Sequence, residues 1–350
     1  MWVLVAVLLV SILPAGAESQ KFSVSWLGIF DTQITLMGFM ESQEEFNKVA
    51  DETAKRLTEY NRIFDAYNSY PDLHNLWYVN RFAHQAPVEI PGELYSLIAW
   101  CKEKWESGMR ETNIAMGAVL SIWHDYRTAG LEHPETAALP PMAELEEAAL
   151  HTDFDQVILD DEKQTVYFAD PRIKLDIGAV AKGFSADLIG EYLRQAMPSF
   201  LLSLGGNILS GEGPRDGRKH WGVSVESPFD PSIFNSANYL DVLYVDGLSV
   251  VTSGDYWRYY IVDGEKYHHI IDPDTLMPAR HMRANTIVCE SSTLADFMTT
   301  SLFVLSVEDG MKLVESMEGV EALWVLDSGE ILMSSGMANY ARSLGASAYQ

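Results

Sequence analysis

The order of strand-like and helix-like segments is the feature that most constrains the fold of this chain. Apolar residues alternate with polar ones in some segments, as on a half-buried strand, and recur at helical spacing in others. The two kinds of segment do not follow each other in the regular alternation that builds a doubly wound parallel sheet. The sequence therefore predicts an α+β fold, in which mixed or antiparallel sheets pack against helices.

The individual segments are assigned from periodicity, caps and turn residues. Helices are predicted from Ser42 to Tyr60, from Pro91 to Trp105, and at 142–150, 178–193, 294–305 and 306–317. Strands are predicted at 22–26 with a continuation through 29–36, at 156–159, 164–168, 173–177, 200–204, 221–225, 239–245, 256–262 and 267–271, and a hairpin near 327–329. The irregular stretch at 128–141 predicts a loop, and with it a sub-lobe boundary near 128–152.

The charge balance excludes one large class of partner. The 350 residues include 24 Lys plus Arg and 50 Asp plus Glu, which gives a formal net charge of −26. A protein that binds nucleic acid needs a basic surface to replace the counterions of the phosphates. We therefore expect no nucleic-acid partner.

The first 17 residues differ from the rest of the chain. Residues 1–17 carry no charge, are apolar up to Pro14, and end in the small residues Ala15, Gly16 and Ala17. The apolar stretch is shorter than the roughly 20 residues that a membrane span requires. We interpret 1–17 as an export signal and 18–350 as one domain, located in the periplasm or on the outer face of the cytoplasmic membrane. An uncleaved anchor remains an alternative.

The two cysteines exclude a disulfide framework and a structural zinc site, which needs four ligands. Cys101 and Cys289 both lie in apolar periodic segments. Their setting favours two buried thiols over one disulfide bridge.

The segment from Lys174 to Gly183 is the strongest local signal for a ligand site. Asp176 comes at the end of an apolar run, Gly178 permits close backbone approach, and Lys182 lies one turn into the predicted helix. A helix N-terminus with a nearby lysine suits phosphate oxygens. On spacing alone, a helix-capping Asp176 and a solvated Lys182 explain the pattern equally well.

A second pair of candidate residues lies on the helix predicted at 294–305. Asp296 and Thr300 are four residues apart, so their side chains face the same way. A carboxylate and a hydroxyl are oxygen ligands of the kind that Mg²⁺ binds together with water and substrate phosphates. Such a pair is more often solvated, but the apolar neighbours of this one predict that it is buried, where an unpartnered carboxylate is costly.

Two weaker signals lie near strand ends. His268 and His269 precede a turn at Asp272-Pro273, and because neighbours on a strand point to opposite faces, only one of the two histidines is expected to enter a given site. Gly205-Gly206 admits either a flat ligand or a simple turn. The motifs of serine hydrolases, zinc proteases and Rossmann oxidoreductases are absent from the sequence.

Four motifs in order resemble the ApbE family of FAD:protein FMN transferases. They are KLDIGAVAKGFSAD, LLSLGGNILSGEG, VVTSGDYWRYYIVDGEKYHHIIDPDTLMPA and ADFMTTSLFVLS, and the upstream segments IFDAYNSYPDLHNLWYVNRF and TNIAMGAVLSIW agree. The similarity extends from about Phe30 to Leu305. It implies an ApbE-like, T-fold-related architecture of two lobes with an FAD cleft between them.

The resemblance also implies an activity and a set of site residues. The activity is Mg²⁺-dependent transfer of FMN from FAD to a threonine hydroxyl in an acceptor domain of a membrane or exported redox protein, with release of AMP. The alternatives are an FAD pyrophosphatase and a non-enzymatic flavin-binding protein. By similarity the catalytic residues are His269 and Asp296, the metal ligands are Ala179 through its carbonyl, Asp296 and Thr300, and the FAD contacts are Tyr67, Glu111, Thr112, Asn113, Asp176, Lys182 and Ile270.

The sequence departs from the family pattern at three places. Thr275-Leu276-Met277-Pro278 replaces a Thr-Gly-x-Pro turn, Gly117-Ala118-Val119 replaces Gly-Pro-Leu, and Phe30-Asp31-Thr32 replaces Met-Gly-Thr. The first is expected to alter the loop beside His269, and none of them affects the predicted metal ligands.

Overall fold

A computed structural model describes residues 19–229 and 239–349 of the chain. The predicted export signal at 1–17 lies outside the described residues. None of the helices in the described part combines the length and the apolar character needed to cross a membrane.

The described part of the chain contains fifteen strands and eight α-helices, together with short 3-10 turns. The strands are β1 (Gln20–Ile29), β2 (Thr32–Met40), β3 (Val88–Glu89), β4 (Val157–Asp160), β5 (Thr165–Phe168), β6 (Phe200–Leu204), β7 (Asn207–Ser210), β8 (Trp221–Glu226), β9 (Tyr239–Val245), β10 (Ser249–Gly254), β11 (Tyr259–Val262), β12 (Glu265–His268), β13 (Ala284–Cys289), β14 (Glu321–Val325) and β15 (Ile331–Met333). The helices are α1 (Gln43–Ile63), α2 (Leu76–Phe82), α3 (Gly92–Glu106), α4 (Gly117–Glu132), α5 (Met142–Ala149), α6 (Ala181–Ala196), α7 (Ser292–Val304) and α8 (Val307–Glu315).

An eight-stranded sheet forms the centre of the fold. Its strand order is β1-β2-β6-β7-β10-β13-β14-β15, and every neighbouring pair in it is antiparallel. Three smaller antiparallel assemblies accompany it: β3-β5-β4, the hairpin β8–β9 and the hairpin β11–β12. The predicted α+β class with antiparallel sheets and packed helices is confirmed.

Apolar side chains cover both faces of the central sheet. On one face, α1, α6 and α7 pack against inward-facing strand residues such as Leu36, Leu202 and Ile287. On the other face, the hairpin β8–β9 packs against residues such as Phe39 and Val250. The alternation of these two sets along β2, β10 and β13 follows from the period of two in a strand.

A separate apolar core joins α4 and α5 to the hairpin β11–β12. It includes Val119, Trp123, Leu145 and Tyr260, and the Trp123 indole N–H donates to the carbonyl of Leu276 at 2.9 Å. We call it the second core. A β-carbon placed on Gly130 of α4 would lie 2.6 Å from the ring of Tyr260, so helix and hairpin touch directly at that point.

The predicted continuation of the first strand through 29–36 is wrong. The chain turns back after Ile29 and pairs β2 with β1 in antiparallel register. Phe30 and Asp31 form the turn with positive φ values of 52° and 51°. A non-glycine residue rarely adopts this conformation, so apolar periodicity does not reveal the turn.

The prediction of a strand at 173–177 is also wrong. This segment is extended, but it forms only an isolated parallel bridge between Lys174 and Met116. The Asn80 side chain takes the place of a neighbouring strand, because its amide donates to the Leu175 carbonyl at 2.8 Å and its oxygen accepts the Leu175 N–H at 2.7 Å. The following helix begins at Ala181, three residues later than predicted.

The remaining turn and cysteine predictions agree with the structure. Gly205 and Gly206, with φ values of 53° and 97°, form the tight turn between β6 and β7, which is the simpler of the two readings. Asp263-Gly264 forms the turn between β11 and β12. Cys101 and Cys289 are free and buried, and burial raises the pKa of each thiol.

Candidate active site at the junction of two helices

Helix α7 carries the carboxylate that the sequence predicted as a metal ligand. The helix is buried around nearly its whole circumference between α6 and the central sheet, and Asp296 is 4% exposed. A buried carboxylate needs compensating partners. Asp296 Oδ2 accepts the backbone N–H of Gly183 at 2.9 Å, and the Lys182 ammonium lies 3.6 Å from Oδ1.

The contact between α6 and α7 is reciprocal. Asp187 of α6 caps the start of α7, because its carboxylate accepts the N–H groups of Ser292 and Thr293 at 2.8 and 2.9 Å and the hydroxyls of Ser291 and Thr293 at 2.9 and 2.7 Å. The N–H groups in the first turn of a helix have no partner within the helix, and together with the helix dipole they favour a negative charge there. Asp296 in turn accepts an N–H from the first turn of α6. The partly buried Asp187 and the buried Asp296 therefore fix the relative position of the helices.

The same arrangement leaves the carbonyl of Ala179 open. In a regular helix the Gly183 N–H would donate to Ala179, as the Phe184 N–H donates to Val180 at 2.9 Å. Because the Gly183 N–H is directed to Asp296 instead, the Ala179 oxygen does not receive that bond. The Thr300 hydroxyl, half-buried one turn after Asp296, has no hydrogen-bond partner among the described residues.

These donors fit Mg²⁺ better than other common metals. The part of the chain that the structure describes contains no group of three or more His, Cys, Asp or Glu side chains able to hold a metal ion. One carboxylate, one hydroxyl and one carbonyl are hard oxygen ligands, and they match an ion that keeps several waters and completes its shell with substrate phosphates. A zinc or calcium site would require more protein ligands.

Gly183 is the point at which α6 and α7 are closest, and its replacement by alanine should separate them. A β-carbon there would lie 2.3 Å from the Ser292 carbonyl oxygen and 2.7 Å from Asp296 Cβ. We expect Gly183→Ala to lower the free energy of unfolding by about 1–3 kcal/mol, measured by urea denaturation. The reason is that the Ser292 backbone cannot move away from the new β-carbon as a flexible side chain could.

Gly190→Ala is the matched control, because Gly190 lies in the same helix and its β-carbon would meet the end of the Leu209 side chain. Both variants gain the same helix propensity over glycine. Equal stability of the two variants would contradict the close approach at Gly183.

The turn before α6 carries the predicted FAD contact Asp176. Its carboxylate Oδ1 accepts the Gly178 N–H at 2.8 Å, and its own N–H donates to the Ile114 carbonyl at 2.8 Å. Asp176 therefore stabilises the turn and does not cap the helix, which begins at Ala181. The bond to Ile114 places the segment 111–117 beside this turn.

The predicted FAD contacts in 111–113 have different environments. Glu111 is half-buried. The Thr112 hydroxyl is buried between the Phe297 carbonyl at 3.0 Å and the Ser301 hydroxyl at 2.8 Å, and so holds the segment against α7. The Asn113 side chain bonds the Thr152 carbonyl and the Ala115 N–H, both at 2.8 Å. The side chains of Thr112 and Asn113 are thus used inside the protein.

Tyr67 lies at the surface next to two residues of α4. Its side chain is 66% exposed, and its ring centroid is 5.3 Å from that of His124 at an interplanar angle of 34°. Arg127 lies one turn after His124, and its Nη2 is 3.1 Å from His124 Nδ1. The pKa of Arg127 is lowered, first by partial burial and then by the positive charge of Arg258, while Tyr67 and Asp176 oppose this shift.

His269 follows β12 and is half-buried, with its Nδ1 atom shielded from solvent and without a hydrogen-bond partner among the described residues. Burial first, and then the charges of Arg258, His268 and Arg127, together lower the pKa of His269 to about 3. The ring is therefore neutral at neutral pH. His268 points the other way, as expected for strand neighbours: it is buried, and its Nε2 is 2.6 Å from the Ala279 carbonyl.

The loop after His269 accommodates a departure from the family pattern. Leu276, where the related turn has glycine, adopts a φ of 59°. Its side chain is buried in the second core, which offsets the cost of this conformation. Ile270, another predicted FAD contact, is 5% exposed, and its carbonyl accepts the Ala279 N–H at 3.0 Å.

The structure thus brings together predicted residues from separate motifs. Asp296 and Lys182 are in direct contact, and the charges of Asp176 and Tyr67 act on the same arginine. Sequence reasoning missed Arg127 and Arg258. The sequence does show that both residues are arginines near predicted site residues in a chain with a large negative charge. It does not show that they lie near each other, because that depends on how α4 packs against β11.

Comparison with known proteins identifies the family of the chain. A model of the ApbE family matches residues 30–324. The chain belongs to the ApbE family. This confirms the resemblance inferred from the four ordered motifs.

Individual ApbE proteins agree with this assignment. The chain is 31% identical over 286 residues to an FAD:protein FMN transferase of Klebsiella pneumoniae, with 78% of this chain and 84% of that protein covered. It is 34% identical over 283 residues to an FAD:protein FMN transferase of Treponema pallidum, with 77% and 75% covered. The crystal structure of the ApbE protein of Thermotoga maritima aligns with a TM-score of 0.75 at 27% identity, covering 90% of this chain and 97% of that one. The flavin transferase ApbE of Vibrio cholerae has the same fold, with a TM-score of 0.74 at 20% identity and 92% and 99% covered.

Proposed function

We propose that this chain transfers FMN from FAD to a threonine hydroxyl of an acceptor protein, depends on Mg²⁺, and releases AMP. The general activity, transfer of FMN from FAD to protein, is the one by which its relatives in Klebsiella and Treponema are named. The observation that supports it most is the position of Asp296, which lies against Gly183 and Lys182 at the start of α6, beside the open carbonyl of Ala179.

The residues of this chain have distinct roles in the proposed reaction. The hydroxyl oxygen of the acceptor forms a bond to the phosphorus on the FMN side, the bond from that phosphorus to the bridging oxygen breaks, and AMP leaves with the electron pair. Lys182 neutralises phosphate charge, and a neutral His269 accepts the hydroxyl proton. Asp296, Thr300 and the Ala179 carbonyl would hold the Mg²⁺, which when bound supplies positive charge to the phosphate oxygens.

The proposed function is tested by incubating the purified protein with FAD, Mg²⁺ and a threonine-containing acceptor domain. We expect flavin fluorescence that stays with the acceptor on a denaturing gel, together with one AMP released for each flavin attached. An acceptor with Thr→Ala at the modified position and a reaction with excess EDTA serve as controls. AMP release without an acceptor would favour the pyrophosphatase, and intact FAD after long incubation would favour a flavin-binding protein; either result would contradict the proposal.

Replacement of His269 should slow transfer without greatly weakening FAD binding. We expect His269→Asn to lower kcat by about 10²-fold, because a positioned base accelerates proton transfer by roughly that amount. Because the pKa of His269 is lowered to about 3, the ring in the free enzyme is already in its base form, and kcat/KM of the wild type should show no rise between pH 6 and 8 that is due to this residue.

His133→Asn is the matched control, since the His133 side chain is 68% exposed.

The lowered pKa of His269 also makes the stability of the fold depend on pH. In the unfolded chain this histidine binds a proton below about pH 6.5, whereas in the folded chain it does so only near pH 3. The stability contributed by the neutral ring is therefore fully present above about pH 6.5 and is lost as the pH falls towards 3. A rising limb near pH 6.5 that disappears in His269→Asn would contradict the neutral ring.

We also propose that the protein acts outside the cytoplasm, on a membrane or exported redox protein. Support comes from the uncharged, apolar segment 1–17 and the small residues at 15–17. Expression of the full chain followed by cell fractionation and N-terminal mass spectrometry tests this proposal. Full-length protein confined to the cytoplasmic fraction would contradict it.

A further inference from the structure

A row of polar side chains lies between the central sheet and α7. Ser253 of β10 and Asn285 of β13 are cross-strand partners, and Thr299 of α7 forms hydrogen bonds with both. Asn285 and Thr299 are 0% exposed, whereas the next residues on the same face of the two strands, Val251 and Ile287, are apolar. Polar groups buried in such surroundings cost free energy unless they are hydrogen-bonded. The row therefore depends on the bonds that its members form.

The hydrogen bonds of this row end on the backbone of α7. The Ser253 hydroxyl donates to the Thr299 hydroxyl oxygen at 2.9 Å, and the Thr299 hydroxyl donates to the Asp296 carbonyl at 2.7 Å. The Asn285 amide donates to the Thr299 carbonyl at 2.9 Å. Side chains of two sheet strands thus hold two carbonyl groups in one turn of the helix. We call Ser253, Asn285 and Thr299 the α7 network.

These two carbonyls lie next to the proposed metal ligands in the backbone. Because α7 is a regular helix from Ser292 to Val304, the Asp296 carbonyl also accepts the Thr300 N–H. That N–H and the Thr299 carbonyl belong to the same peptide group. The α7 network therefore fixes both ends of the peptide group before Thr300, and with it the stretch of main chain that carries the Asp296 carboxylate and the Thr300 hydroxyl.

Stability alone does not account for Asn285. Its Oδ1 atom is buried and has no hydrogen-bond partner in the described part of the chain. A buried acceptor without a partner costs free energy, and an apolar side chain of similar volume would avoid that cost. The Thr299 carbonyl already accepts an N–H within α7, so it does not need the Asn285 amide to be satisfied. What Asn285 adds is a fixed position of this carbonyl relative to the sheet.

We propose that Ser253, Asn285 and Thr299 are positioning residues, which hold Asp296 and Thr300 at the separation needed to bind one divalent cation. This inference rests on the proposed function, because it takes Asp296 and Thr300 as ligands of Mg²⁺. Two side chains of one helix can bind the same Mg²⁺ only if both oxygen atoms come within about 2.1 Å of it. A small change in the helix between them therefore weakens binding. Groups that orient metal ligands contribute about 10- to 100-fold to metal affinity.

Binding of a metal ion alone tests this proposal without flavin, acceptor or turnover. The probe is Mn²⁺, which prefers the same oxygen ligands as Mg²⁺, and electron paramagnetic resonance measures the free ion. Thr299→Val removes the hydroxyl and keeps the branched shape of the side chain. We expect this variant to raise the Kd for Mn²⁺ by about 10- to 100-fold. Thr299→Ser keeps the hydroxyl and should stay within about 3-fold of the wild type.

A second variant separates positioning from stability. Asn285→Leu removes the acceptor that has no partner, so its unfolding midpoint should lie no more than about 4 °C below that of the wild type, while its Kd for Mn²⁺ should rise by about 10-fold. Thr286→Val is the matched control. Thr286 is also 0% exposed and its hydroxyl lies 2.8 Å from that of Thr252, but as the next residue along β13 it faces away from α7. This variant should leave Mn²⁺ binding unchanged.

Three results would overturn the proposal: no saturable binding of Mn²⁺ by the wild type, the same Kd in the wild type, Thr299→Val and Asn285→Leu, or losses of affinity that follow the unfolding midpoint in all variants including Thr286→Val. The two proposals can fail separately. If Thr299→Val binds Mn²⁺ weakly, Thr299→Ser binds it normally and the wild type transfers no flavin, the positioning role stands and the proposed function fails. If the wild type transfers flavin but every variant binds Mn²⁺ equally, the reverse holds.

Discussion

We expect replacement of Asp296 by asparagine to abolish flavin transfer while the fold is retained. The amide oxygen of asparagine still accepts the Gly183 N–H, which Asp296 accepts at 2.9 Å, but the negative charge next to Lys182 is lost. Charge stabilisation by a bound metal contributes several kcal/mol to a phosphoryl-type transfer, so we expect a loss of at least about 10³-fold in rate. The measurement is the initial rate of covalent flavin attachment with Mg²⁺ as the sole divalent cation.

The control for this variant is Glu290→Gln, which makes the same carboxylate-to-amide change at an exposed position before α7. We expect normal transfer in the control and similar circular dichroism spectra and unfolding midpoints for both variants. Asp296→Ala adds a separate comparison, because it also removes the acceptor for Gly183 and should lower stability. Transfer by Asp296→Asn at more than about a tenth of the wild-type rate would contradict the role of this carboxylate.

Removal of the Asp255 carboxylate should cause the largest loss of stability of any single change considered. The side chain is 7% exposed, and its Oδ2 lies 2.6 Å from the Lys266 ammonium and 2.7 Å from Arg283 Nε. In Asp255→Ala, the partly buried Lys266 would lose its carboxylate partner, and Arg283 would keep only the longer contact, 3.7 Å, to the exposed Asp327. Breaking a buried ion pair in this way costs about 3–5 kcal/mol, and we expect a loss of that size in the free energy of unfolding measured in urea.

Asp216→Ala is the matched control, because Asp216 pairs with Arg218 at 2.6 Å but lies at the surface. An exposed pair contributes about 0–1 kcal/mol, so the two variants should differ clearly although each loses a carboxylate-cation contact of similar length. Asp255 also joins the end of β10 to β12, and therefore fixes the hairpin that carries His269. Similar losses of stability in both variants would contradict the buried network around Asp255.

The sequence predicted the elements whose signals are local. Helix α1 begins after Ser42, whose side chain accepts the Glu45 N–H as the capping pattern indicated, and its buried residues follow helical spacing. Helix α7 was predicted from its apolar residues, and the burial of Asp296 followed from that composition. Caps and periodicity are properties of a few consecutive residues, so one sequence is enough to identify them.

The sequence did not predict features that depend on distant contacts. The segment 173–177 has the composition of a strand, but the Asn80 side chain, about a hundred residues away in the chain, occupies its hydrogen bonds. Strands β10 and β13 were missed because they lie in the middle of the central sheet, where β13 is buried on both faces and shows no alternation. Arg127 and Arg258 were missed for the same reason: only the packing of α4 on β11 places them together.

The bond between the Gly183 N–H and Asp296 offers a spectroscopic probe of the carboxylate that we propose as a metal ligand. An amide proton held by a carboxylate has a characteristic chemical shift and exchanges slowly with deuterium when its partner is buried. Any change in the charge on Asp296, including the arrival of a cation, should alter the resonance of this single backbone amide. Isotope-labelled protein would therefore report on occupation of the carboxylate directly, without a flavin, an acceptor or turnover.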